Sequence, residues 1–128
     1  MKKKTIEIPI WEFDLTIMVG GAHKEILREA TKRKFGKEMI DEINLDDIQV
    51  DDRGACYFCT KQYSCIIWFE SVRIDRGTIE HEALHLLDWF TKYIGATYEM
   101  ELRAYTFEYL VKVIRQTLKE LKDEKSTP

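Results

Sequence analysis

Proline and glycine are scarce in this 128-residue chain: two prolines and six glycines leave no flexible linker from which a second domain would hang. No apolar run approaches the roughly 18–20 residues that a membrane-spanning helix requires. The start, Met1-Lys2-Lys3-Lys4, has the positive flank of a secretion signal, but Glu7, Pro9, Glu12 and Asp14 interrupt the segment behind it, so it does not read as an apolar signal core. Three cysteines, an odd number without such a signal, argue against a disulfide framework. Positive charge is not in excess either. The formal net charge is -3 and the pI about 5.7, which gives no general reason to expect nucleic-acid binding. These absences point to a soluble cytoplasmic protein (the host cytoplasm if the chain is phage-encoded), folded as one domain over residues 1–128 with a polar tail from about residue 122.

What is present is ordinary for a globular chain, with 45% hydrophobic and 34% charged residues. Thr5 to Val19 reads as one extended segment, in which Phe13, Leu15, Ile17 and Val19 alternate with Asp14, Thr16 and Met18. Pro9 makes it an edge or bulged strand near its beginning. After Gly20-Gly21, the stretch from Ala22 to about Phe35 has the period of an amphipathic helix, with Gly36 as its stop. The acidic stretch from about Lys37 to Gly54 suggests a short helical turn and a loop. Ala55–Cys59 and Ser64–Glu70 carry strand-type residues around the polar turn Thr60-Lys61-Gln62. A helix follows from about Thr78, as its cap, to Ile94, with Gly95 just past its end and Ala83, Leu84, Leu87 and Phe90 as its buried stripe. The last helix, from about Thr97 to Leu121, has Met100, Ala104, Phe107, Val111, Ile114 and Leu118 at core spacing.

Chemistry concentrates in His81-Glu82-Ala83-Leu84-His85, the H-E-x-x-H pattern. On a helix, residues four apart are neighbours on one face, so both imidazoles reach one metal ion. Glu82 lies about 100° around the helix from His81. It therefore flanks a metal rather than binding it, placed to take a proton from a water that the metal activates. Two of the chain's three histidines fall at this spacing around a glutamate, which leaves little room for the bland reading of two packing or solvated histidines. A catalytic zinc usually takes three protein ligands and keeps a position for water. The last helix offers Glu99, Glu101 and Glu108. Glu101 comes 16 residues after His85, and an antiparallel return across Gly95 sets it opposite. It shares a helical face with Tyr105 and Glu108, whereas Glu99 points about 160° away. Glu101 is the preferred third ligand, with the other two left open.

With these residues in view, the sequence resembles the gluzincin group of zinc metallopeptidases. It is more similar still to small HExxH proteins of bacteriophages and mobile elements, which are like the repressor-cleaving metallopeptidases of such elements. The likeness rests on Gly77-Thr78, His81 to His85, Gly95, Glu101-x-x-Ala104-Tyr105 and Tyr109-Leu110, behind the apolar strand Ile66-Ile67-Trp68-Phe69. It covers about residues 64 to 110. Two positions depart from it: Glu80 stands where a small or apolar residue is more usual, and Glu108 where a glycine often lets two helices approach. The resemblance implies His81, His85 and Glu101 as Zn2+ ligands and Glu82 as general base. The fold expected is α+β, a minimal zincin-like domain. It has a small, mainly antiparallel sheet with helices packed on one face, and the HExxH helix is followed by a C-terminal ligand helix.

Supporting residues each carry two readings. Asp88 is either an acceptor for a ligand imidazole N–H or a solvated charge. Tyr105 either steadies a tetrahedral oxyanion or packs half-buried. The strand Ile66–Phe69 either pairs with an extended peptide or lies in the sheet interior. Cys56-x-x-Cys59 with Cys65 reads as buried thiols in preference to a second zinc site, for which His23 is the only spare histidine. Two functions follow. One is a zinc-dependent metallopeptidase (a hydrolase) acting on a protein or peptide substrate. The other is a catalytically silent, zinc-stabilised binding module, such as a phage accessory protein that engages a host factor.

Overall fold

The computed structural model describes residues 1–9, 11–21, 23–46 and 53–124. Within these, the elements run β1 (Lys2–Ile8), β2 (Phe13–Val19), α1 (His23–Lys32), α2 (Lys37–Asp46), β3 (Gly54–Cys59), β4 (Ser64–Phe69), α3 (Arg76–Tyr93) and α4 (Met100–Asp123). The strands form one mixed sheet in the order β1-β2-β4-β3. The two outer pairings are antiparallel and the central one, β2 with β4, is parallel.

The segment expected as a single strand from Thr5 to Val19 is a hairpin. Pro9 has no N–H to continue a ladder, and the chain has reversed direction between Ile8 and Phe13. There Glu12 takes a φ of 56° and its N–H donates to the Ile8 carbonyl at 2.6 Å. Pro9 closes β1 instead of opening a longer strand. β1 is an edge strand, and its lysines suit that position: Lys3 pairs with Glu29 of α1 at 2.8 Å and Lys4 with Glu120 of α4.

Alternation along the central strands sends side chains to both faces of the sheet. Leu15, Ile17, Val19, Cys65, Ile67 and Phe69 pack beneath α3 and α4, against Ala83, Leu86, Phe90, Leu110 and Ile114. Met18, Ile66 and Trp68 face the other way, onto Ile26 and Ala30 of α1 and Ile43 of α2. Helices therefore cover both faces, not one. The reason is β4: all six of its residues are buried, so neither of its faces meets water.

Element ends differ from the sequence reading in instructive ways. α1 stops at Lys32, and Lys34, at φ 59°, makes the left-handed turn expected of Gly36. The Phe35 N–H donates back to Ala30 at 2.9 Å. The acidic segment opens with a ten-residue helix rather than one turn, and the loop expected after it falls at residues 47–52, outside the described residues. Met100 and Ala104 are exposed, so the core stripe of α4 begins later, with Thr106, Leu110, Val111, Ile114, Thr117, Leu118 and Leu121. Among the described residues no helix is long and apolar enough to cross a membrane.

Candidate metal centre

α3 begins one residue after Asp75, which is its N-cap. The carboxylate accepts the Thr78 hydroxyl at 2.7 Å and the Thr78 N–H at 3.0 Å, and pairs with Arg53 at 3.0 Å. The bond from the Thr78 hydroxyl leads in holding the Asp75 carboxyl down to about 2. Thr78, expected as the cap, is the residue being capped. At the far end Gly95 takes a φ of 74° just past Ile94. The Ala96 N–H then closes onto the Thr91 carbonyl at 2.7 Å, a turn that a residue with a Cβ makes at a cost.

Around α3, Ile79, Ala83, Leu86, Leu87 and Phe90 enter the core, while Leu84, expected there, is 47% exposed. His81 and His85 lie on the exposed side. Their Nε2 atoms approach to 3.2 Å, with the rings nearly perpendicular at 81°. Two imidazoles bound to one tetrahedral zinc at about 2.0–2.1 Å have nitrogens about 3.3–3.4 Å apart. The pair thus already has the separation of two ligands on one ion, and one ring donates a hydrogen bond to the other across it. That separation suits two ligands of one ion, and among the described residues no third ligand is gathered with them.

Glu82 points toward the sheet. It is 4% exposed, and burial pushes its carboxyl above the usual range, opposed by the charge on His81. The room for it comes from Gly54 at the start of β3. A Cβ there would lie 3.1 Å from the Glu82 Cγ and 3.2 Å from its Oε1. Arg53, Gly54, Asp75, Thr78, His81 and Glu82 line an open cleft of about 380 Å³. A larger groove, about 1110 Å³, lies between β1 and α4 and has neither histidine in its lining.

β3 is the edge strand on this side of the sheet. Ile66–Phe69 belongs to β4, which sits between β2 and β3, so its apolar run reflects burial and it cannot line an open cleft. Further along β3, Phe58 stacks on Trp89 of α3 at 5.3 Å and 10°, and Tyr93 continues the aromatic row at 6.3 Å from Trp89. Cys56 packs into the core under α3, whereas Cys59 belongs to the core on the other face. On a strand, residues three apart point to opposite faces, so this CxxC does not converge. All three cysteines are free, and burial pushes the Cys56 and Cys65 thiols well up.

α4 returns along α3 and meets it through Arg103, whose guanidinium donates to the Asp88 carboxylate at 2.7 Å and to the Thr91 hydroxyl at 2.8 Å. Asp88 is thus engaged by α4, neither free in solvent nor bonded to His85. Glu101 and Glu108 are exposed, and Tyr105 is 70% exposed rather than half-buried. Among the described residues no three His, Cys, Asp or Glu side chains are gathered closely enough to hold a metal ion. The structure brings His81, His85 and Glu82 together and leaves Glu101 and Tyr105 on the exposed flank of α4. Sequence reasoning missed Gly54, Asp75 and Arg103. Asp75 had a signal, an aspartate three residues before a threonine at a helix start. Gly54 and Arg103 act through other elements and had none. Neither family models, nor curated proteins, nor solved structures gave a match to this chain.

Proposed function

We propose that this chain is a zinc-dependent metallopeptidase of gluzincin type, with His81 and His85 as ligands, Glu101 as the third, and Glu82 as general base. The observation that carries this reading is the convergence of two imidazole nitrogens to 3.2 Å beside a buried glutamate. When bound, zinc supplies a Lewis acid and brings the pKa of a coordinated water toward about 7. Glu82 takes the proton of the attacking water and returns it to the amine nitrogen as the C–N bond of the peptide breaks. Burial raises its proton affinity, which favours taking up that proton. The edge of β3 begins beside Glu82, at Gly54. It offers backbone N–H and C=O groups to an extended peptide, with the Phe58–Trp89 stack further along the same strand. The substrate is a protein or peptide segment presented in extended form.

Replacing Glu82 by Gln removes the base and keeps the shape. Glu82→Gln retains zinc, and cleavage of a proteome-derived peptide library by the wild-type protein disappears. If wild-type protein holds zinc but cleaves no more of the library than Glu82→Gln, the zinc-stabilised binding module is the correct reading.

A further inference from the structure

Three contacts fix α3 beside β3 in a single register. A Cβ on Gly54 would meet Thr78 and Glu82, Phe58 stacks on Trp89, and the Trp89 Nε1–H donates to the Thr60 hydroxyl at 3.1 Å. From Glu82 to Trp89 the helix climbs about 10.5 Å, and from Gly54 to Phe58 the strand advances about 13 Å. Helix and strand therefore run side by side in the same direction. On α3, His81, His85, Trp89 and Tyr93 follow one another at intervals of four, which makes them neighbours along one side of the helix. The imidazole pair and the aromatic row of Phe58, Trp89 and Tyr93 thus come one after the other beside β3.

The outer edge of β3 has a matching register. The Glu70 N–H donates to the Arg53 carbonyl at 3.1 Å, just before the pair Gly54 and Phe69. Alternation along an antiparallel ladder then gives the backbone groups of Ala55, Tyr57 and Cys59 to β4, and turns those of Gly54, Cys56 and Phe58 outward. An extended segment paired with this edge has one residue beside Glu82 and another, about three to four positions along, beside the aromatic row. That row is only partly covered: Phe58 and Trp89 are half-buried and Tyr93 is 48% exposed. The Phe58 and Tyr93 rings lie 10° and 20° from the plane of Trp89. They present flat apolar surface at little cost in side-chain entropy. Exposed Lys61 and Lys92 adjoin Thr60 and Tyr93 in the chain, and their charge disfavours a cationic occupant.

We propose that Phe58, Trp89 and Tyr93 form the specificity subsite of the β3 edge, which takes a large apolar side chain, aromatic above all, of the bound peptide. This rests on the metallopeptidase reading above and names its substrate class: an extended peptide with one aromatic anchor at a fixed distance from the bond cleaved. Backbone pairing at Gly54, Cys56 and Phe58 holds the segment, and the aromatic row selects its sequence.

The test is cleavage-site profiling of a proteome-derived peptide library by the zinc-loaded full chain. Phe, Tyr, Trp and Leu are enriched at one position, about three to four residues to one side of the scissile bond. A peptide of that pattern has a kcat/KM about 10-fold or more above its Ala counterpart. Tyr93→Ser and Trp89→Leu each cut that ratio several-fold, whereas Tyr93→Phe keeps it. Fluorescence anisotropy of the labelled pair of peptides on Glu82→Gln protein shows the same preference as binding, and adding Tyr93→Ser abolishes most of it. Zinc content and melting of Tyr93→Ser match wild type, which separates loss of the subsite from loss of the fold. Cleavage without a fixed apolar position, enrichment of Lys or Arg there, or a ratio unchanged in both Tyr93→Ser and Trp89→Leu overturns the inference and leaves the metallopeptidase reading standing. A wild-type chain that takes up zinc and cleaves nothing in the library overturns that reading itself, and the subsite with it.

Discussion

Burial of Glu82 sets its chemistry against the stability of the fold. Desolvation favours the uncharged carboxyl, so the folded chain raises its pKa above the ordinary 4.5. A group raised in this way contributes stability that is fully present below its unfolded value and is lost as pH rises through the folded one. Gln carries no charge at any pH. In chelated protein, Glu82→Gln is therefore equal to wild type below about pH 4.5 and the more stable of the two at pH 7. The difference opens as pH rises from about 4.5 toward 7, in favour of Glu82→Gln. Urea denaturation at the two pH values measures it, and equal stability at pH 7 would contradict a buried, charged Glu82. At this scale His81, Glu82 and His85 were legible because one helical turn sets their mutual geometry. Gly54 was not, because its role is to lack a side chain where another element's glutamate needs space.

Elements show where local pattern is sufficient and where it fails. The period of α3 was readable, yet Leu84 and Met100 were assigned to core stripes and are exposed. Periodicity locates a face, but how far a neighbour extends decides which residues on it are covered. The hairpin was hidden because Phe13–Val19 alternates so cleanly that the break at Pro9 looked like an irregularity within one strand. The true start of α3 gives a local prediction. The Asp75 carboxyl is depressed, so its contribution is present above the ordinary value of 3.8 and lost as pH falls through about 2. Asp75→Ala frees the Thr78 amide that the carboxylate holds at 3.0 Å. Hydrogen exchange at that amide accelerates while exchange at Leu86 and Leu87 stays slow. Unchanged exchange at Thr78 would mean that the cap does not hold this turn in solution.

For the whole molecule, the two cores on opposite faces of the sheet explain why a single-layer packing was too simple. Composition shows enough apolar residues for a core but not how many surfaces they cover, and only the complete burial of β4 reveals that the sheet lies between helices. The same arrangement fixes α3 along its buried side, through Ile79, Ala83, Leu86 and Phe90, and leaves its opposite side, with both histidines, open. Of the three ligands proposed, two sit on this anchored helix, and the third, Glu101, sits on the uncapped start of α4, apart from the pair. The direct measurement is zinc content of purified protein by elemental analysis, for wild type and for His81→Ala, His85→Ala and Glu101→Ala. The account predicts a single chelatable zinc per chain in wild type, lost with either histidine and bound more weakly without Glu101. A wild-type chain free of zinc after purification and reconstitution, or a zinc that persists in both histidine variants, would contradict it.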